Sequence, residues 1–226
     1  MVFSKIEEAV SDIQRGKFVI VVDDESRENE GDLVLAAEKV TANKVNYMIT
    51  HARGLVCMPI IKGRLDQLKI PPMVERNESN NNKTHHRCMF AISVDYKKGT
   101  TTGISPADRA ATIKALIDSK AKTEDFIRAG HLFPLIYQEG GVLAREGHTE
   151  ASVDLAKLAG LYPAAVICEI INDDGTMAKL PDLIEFSKKH NGMKIIAIKD
   201  LVDYIKAEGM PSGAEDKNLI LNAPNQ

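Results

Sequence analysis

Between two apolar runs, Phe18–Val22 and Leu33–Ala37, the chain reads DDESRENEGD. Six of the ten residues from Asp23 to Asp32 are acidic and only Arg27 is basic. Like charges held this close repel, and a hard divalent cation relieves the repulsion by taking carboxylate oxygens as ligands. Glu28, Glu30 and Asp32 stand at alternate positions, which in an extended chain share one face. Arg27 among them could neutralise charge or hold a substrate anion. A solvated turn is the plainer alternative. Against it stands the apolar run before Asp23, which puts the base of the loop at the end of a buried strand.

A second stretch, GGVLAREGHTE (140–150), sets Arg145, Glu146, Gly147, His148 and Thr149 at a helix start. Free N–H groups and the positive end of the helix dipole suit a phosphate there, helped by an arginine and a hydroxyl. His148 beside them is a candidate metal ligand. Glu169 interrupts the apolar run AAVICEII, so it must be paired, bound to metal or facing a cleft. RAGHLFPL brings Arg128 and His131 beside a glycine, and TTTGISPADRA leaves Thr102 and Arg109 as candidates once Ser105 and Asp108 are read as a helix start. Cys57 reads as a buried small apolar residue. His85 and His86 fall in the Asn-rich ERNESNNNKTHHR, which reads as a loop and not as a metal site.

Strands and helices alternate around these stretches. Ser4 and Glu7 are spaced as a capping box for a first helix that ends near Gly16. KFVIVV and DLVLAAEKV read as strands. Thr41 caps a helix to about His51, GLVCMPI is a short strand, and residues 62–70 make a helical turn or two. CMFAISVD returns to strand character, and a helix follows from Ser105 to about Ser119, with Pro106 in its first turn. HLFPLIYQ is β-like, but Pro134 keeps it from being an ordinary central strand. Thr149 caps a helix ending near Gly160, and AAVICEII, a helix over 181–190, MKIIAI and a helix over 200–208 complete the pattern. The expected fold is α/β (α+β), a single layered domain with a central sheet flanked by helices. The runs 18–22 and 33–38 are too close for a parallel crossover, so the sheet is mixed. The domain is expected over residues 1–208, with 209–226 as a disordered C-terminal tail.

Bulk properties limit the function classes. The 226 residues are 44% hydrophobic and 27% charged, with a net charge of −3. Basic residues are scattered, so nucleic acid and anionic membrane are not expected partners. No apolar run approaches the ~18 residues of a membrane span. Three cysteines far apart argue for a reducing, cytoplasmic setting and against a disulfide framework or a thiolate zinc site.

DDESRENEGD, TTGISPADRA, RAGHLFPL, REGHTEASVDLAKLAG and CEIINDDGTMAKLPDLIEFSKKH, in this order over about residues 5–205, resemble the motifs of 3,4-dihydroxy-2-butanone 4-phosphate synthase, an enzyme of riboflavin biosynthesis. The resemblance implies conversion of D-ribulose 5-phosphate to L-3,4-dihydroxy-2-butanone 4-phosphate and formate. It also implies a homodimer with sites near the subunit interface and a mixed α/β fold. Mg2+ is the implied cofactor, two ions per site, with Mn2+ able to substitute. Glu28 and His148 match the metal ligands. Asp23, Glu30, Asp32, Cys57, His131 and Glu169 match positions of the catalytic machinery or pocket. Arg27, Glu28, Asp32, Thr102, Arg145, Glu146, Gly147, His148, Thr149 and Glu169 match substrate contacts. Ala129 stands where the family often has proline, and NESNNNKTHHRCMF differs from the usual Thr-rich lead into the SVD strand. A monofunctional enzyme is expected. The alternatives are another metal-dependent pentose-phosphate isomerase or lyase, or a non-catalytic sugar-phosphate-binding module.

Overall fold

The computed structural model describes residues 2–74 and 88–210. The Asn-rich stretch with His85 and His86, and the tail beyond Met210, lie outside the described residues. The chain order is α1 (Ile6–Gln14), β1 (Val19–Val22), β2 (Gly31–Ala36), α2 (Ala42–Tyr47), β3 (Cys57–Ile61), α3 (Lys62–Gln67), β4 (Val94–Tyr96), α4 (Pro106–Ile117), β5 (Phe126–Arg128), β6 (Phe133–Tyr137), α5 (His148–Leu158), β7 (Ala165–Glu169), α6 (Leu180–Lys189), β8 (Lys194–Ala197) and α7 (Ile198–Glu208).

Six strands form one sheet in the order β6-β3-β7-β2-β1-β8, and β4 and β5 form a separate pair. The large sheet is mixed. β1–β2, β2–β7 and β3–β7 are antiparallel, while β1–β8 and β3–β6 are parallel. The eight residues between β1 and β2 are too few for a crossover, so their antiparallel pairing follows from chain length. β6 is an edge strand, the place where the missing N–H of Pro134 does least harm.

Alternation along the strands divides the core in two. Ile20, Val22, Leu33, Leu35, Val166 and Ile195 face one cluster, with Val45, Ile113 and Leu183 of α2, α4 and α6. Val19, Val21, Val34, Ala36, Cys57, Ile167 and Ile196 face the other, with α1, α5 and α7. Asp32 keeps step with Val34, Glu169 with Ile167 and Asp23 with Val21. All three therefore belong to the face that α5 covers, and α5 packs over β2, β7 and β3.

Several local expectations change. Ser4 does not cap α1. The cap is Lys5, which makes no side-chain bond, because the helix starts one residue later than the Ser4–Glu7 spacing suggests. Thr149 does not cap α5 either, since Gly147 holds that position. CMFAISVD is not one strand. Phe90 and Ala91 make only isolated bridges before β4. Thr41 and Ser105 do cap α2 and α4, accepting from Lys44 N and Asp108 N.

Candidate active site

The acidic loop is built round one buried carboxylate. Asp23 Oδ1 accepts the N–H of Glu30 at 2.8 Å, and Oδ2 accepts the N–H of Glu28 at 3.0 Å and Arg27 Nη1 at 2.8 Å. Arg27 also pairs with Glu28 Oε2 at 2.9 Å. Asn29 takes a left-handed φ of 53°, so the chain turns here and Glu28 does not share the extended face of Glu30 and Asp32. Alternate spacing therefore holds only for the last two. Lys179 Nζ ties the turn from outside, donating to Asn29 O at 2.6 Å.

The turn carries Glu28 to the start of α5. His148 Nδ1 lies 3.7 Å from Glu28 Oε2. One ligand atom each from Asp23, Glu28 and His148 all lie within 4.8 Å of one another. His148 is 6% exposed, and its buried Nε2 has no hydrogen-bond partner. A buried imidazole beside two carboxylates, with one ring nitrogen left unpartnered, fits a divalent cation, since such a group is costly to bury unsatisfied. Asp23 has its lone pairs largely engaged by the loop, so Glu28 and His148 are the freer donors.

Antiparallel register places Asp32 opposite Glu169 across β2 and β7. Glu169 Oε2 accepts the N–H of Leu55 at 2.8 Å, and Gly54 leaves room for it: a Cβ there would stand 2.4 Å from that oxygen. Cys57, 2% exposed, lies on the same face, with Glu169 and Asp32 near enough to disfavour its thiolate.

This crowding separates the titrations. His148 holds the Glu28 carboxyl down to about 2, helped by Arg27. Burial pushes Asp32 up to about 7, and the Glu169 and Glu28 charges add to this. Burial also raises Glu30. Burial works against a charge on His148, but Asp32, Glu28 and Asp23 outweigh it and raise the imidazole to about 9. Burial raises the Cys57 thiol strongly, so it stays neutral.

The phosphate seat read at 145–149 is more closed than its sequence suggested. Arg145 Nη1 pairs with Glu150 Oε2 at 2.6 Å, and Glu150 is fully buried. Gly147 allows this pairing to lie against the loop, since a Cβ would stand 2.8 Å from Arg145 Nη1. Glu146 is exposed, and Thr149 Oγ1 lies 3.1 Å from Cys88 Sγ.

His131 and Thr102 belong to the contacts around Asp95. His131 bonds to Asp95. Gly103, next to Thr102, packs on the same Asp95, so close that a Cβ would fall 2.0 Å from Oδ2. Arg109 is buried on α4 behind Cys168, and Arg128 donates to Leu68 O and Lys69 O, a structural role.

Glu150, Asp95, Cys88 and Lys179 are the neighbours that sequence reading passed over. Glu150 stood inside GHTE, and only its placement two residues after His148 hinted at a role. Asp95 and Lys179 act across 36 and 150 residues, and no local pattern marks them.

Comparison with known proteins shows which family the chain is similar to. The family model of 3,4-dihydroxy-2-butanone 4-phosphate synthase matches residues 7–204. A riboflavin biosynthesis protein RibBA of Endomicrobium trichonymphae is 57% identical over 203 residues, 90% of this chain and 49% of the relative. A 3,4-dihydroxy-2-butanone 4-phosphate synthase of Agrobacterium fabrum is 53% identical over 208 residues, covering 92% of this chain and 95% of the relative. The chain thus spans about half the length of the RibBA relatives it matches. Among solved structures, a 3,4-dihydroxy-2-butanone 4-phosphate synthase in complex with two magnesium ions superposes with a TM-score of 0.82 at 38% identity, covering 92% of this chain and 100% of that one. The two-domain RibBX of A. baumannii gives 0.84 at 51% identity, over 91% and 59%. With a family match over nearly its whole described length, this chain belongs to the 3,4-dihydroxy-2-butanone 4-phosphate synthase family.

Proposed function

We propose that the protein converts D-ribulose 5-phosphate to L-3,4-dihydroxy-2-butanone 4-phosphate and formate, a step of riboflavin biosynthesis. The observation that carries this reading is the Asp23–Glu28–His148 donor group with its orphaned His148 Nε2. Glu28 and His148 would hold the cation, Mg2+ or Mn2+, which when bound acts as a Lewis acid on adjacent substrate oxygens. Two ions per site is the expected count, and a structure of a relative is described in complex with two magnesium ions.

The chain's own residues supply the rest. A carboxyl raised to about 7 suits proton transfer near neutral pH, so Asp32 can take the C3 proton and return it later. Glu30, also raised by burial, would serve a second transfer. Loss of the C1 hydroxyl leaves a diketone, C5 then migrates from C4 to C3, and water adds to the C4 carbonyl so that the C3–C4 bond breaks and C4 leaves as formate. Glu169, opposite Asp32, faces the same space. The α5 start, with Arg145 and Thr149, would hold the phosphate and orient the sugar.

A homodimer is the assembly expected of this family member. Leu55, Ile104 and Ile127 are 44%, 52% and 48% exposed, apolar side chains that a second copy would cover. Free Cys57, Cys88 and Cys168 suit a cytoplasmic setting. Among the described residues no helix is long and apolar enough to cross a membrane.

The test is incubation with ribulose 5-phosphate and magnesium, with formate followed by NMR. Formate should appear in step with substrate loss, stop with chelator, and fall at least ~10²-fold in Glu28→Gln and in His148→Ala. An isomerised pentose phosphate without formate would reassign the reaction.

A further inference from the structure

His131 does not stand alone. Its ring Nδ1 lies 2.7 Å from Asp95 Oδ2, and its backbone N–H donates to Asp95 Oδ1 at 2.9 Å. Asp95 is 5% exposed, while the His131 side chain is 43% exposed. One carboxylate therefore grips both the backbone and the ring of the same residue, from inside the protein, while the far side of the ring faces outward.

Four further features keep this grip in place. Asp95 belongs to β4, whose residues pair with β5. Residues 130–132 are laced to the same segment, Gly130 N donating to Ser93 O and Leu132 N to Val94 O. Gly130 makes the approach possible, since a Cβ there would stand 2.1 Å from the Val94 carbonyl carbon. On the other side Gly103 presses on the carboxylate itself. The carboxylate can neither swing away nor be replaced by a longer acid without displacing backbone.

We propose that Asp95 is a positioning residue for His131: it fixes the neutral imidazole in the Nδ1–H form, so that the outward Nε2 carries the lone pair that accepts a proton from substrate. The chemistry is one of donors and acceptors. An ionised carboxylate only accepts, so the nitrogen facing it must carry the hydrogen, and the other nitrogen is left basic. The described residues give His131 no other ionic partner. This inference rests on the proposed function and on the match of His131 to a position of the family's catalytic machinery.

The experiment uses the full chain with magnesium and ribulose 5-phosphate, together with 15N NMR of the histidine rings. In the wild type, His131 should show a protonated Nδ1 and an unprotonated Nε2. Asp95→Asn keeps the size and the oxygen that accepts the His131 backbone N–H. It turns an NH2 toward the ring, which forces Nδ1 to accept and moves the hydrogen to Nε2. The expected result is the reversed 15N signature with kcat lowered by about 10²–10⁴-fold, while KM and the melting temperature stay near wild type. His131→Ala should be equally inactive. A wild-type ring protonated on Nε2 overturns the proposal even if the variant does not fold. So does an Asp95→Asn enzyme within threefold of wild-type kcat while His131→Ala is dead. An active His131→Ala enzyme removes the underlying role of His131, and the proposal with it.

Discussion

Raising the pH on the metal-free protein should destabilise it, chiefly through His148. Its imidazole moves from an ordinary 6.5 up to about 9. A group whose folded pKa lies above its unfolded value contributes stability that is complete below the unfolded value and lost as pH rises through the folded one. For His148 the full contribution is about 3 kcal/mol below pH 6.5, at 1.36 kcal/mol per unit. Between pH 6 and pH 8 about 2 kcal/mol of it disappears, which for a chain of this size is about 4–8 °C in melting temperature. Asp32, raised to about 7, acts with the same sign, because its buried carboxyl is forced to ionise as pH climbs. Glu28, lowered to about 2, acts on the opposite limb, its contribution being lost as pH falls from 4.5 toward 2. The assay is thermal unfolding with chelator at fixed ionic strength from pH 6 to pH 9, for the wild type and for His148→Gln. The variant should show a slope shallower by about 2 kcal/mol between pH 6 and 8. Magnesium should flatten the wild-type slope, since a cation takes the neutral imidazole and competes with its proton. Equal slopes in the two proteins, or a wild type that gains stability with pH, would refute the placement of His148 among those carboxylates.

Two further outcomes follow from close contacts. Cys57→Ser should lower kcat without abolishing it, because burial keeps the thiol neutral and unfit as a nucleophile; a dead but folded variant would show that the sulfur takes part in the chemistry. Gly130→Ala should cost about 1–3 kcal/mol by calorimetry and should cut formate release as well, because its Cβ would meet the Val94 backbone at 2.1 Å and push His131 off Asp95; wild-type stability would mean that this crossing yields easily.

Much of the fold was legible in the chain because its signals are local. Four buried valines and isoleucines in β1, the Ser105–Pro106–Asp108 helix start, the edge position of Pro134 and the short β1–β2 link each follow from neighbours within a few residues. The errors were local too. Ser4 and Thr149 are good capping types that stand off the cap, because packing of α1 and α5 on the sheet set where each helix begins. The types of the site residues were also readable, since acid crowding in 23–32 and a glutamate in an apolar strand are anomalies that demand a partner.

What the sequence could not carry is which partner each found. That Glu28 leaves the extended face through a turn at Asn29 and meets His148, that strand register sets Asp32 against Glu169, and that Asp95 holds His131 all depend on contacts between distant segments. Periodicity fixes the direction of a side chain relative to its own element. Only the packing of elements on one another brings two such directions to the same point, and with them the burial and charge that shift the titrations of Asp32 and His148.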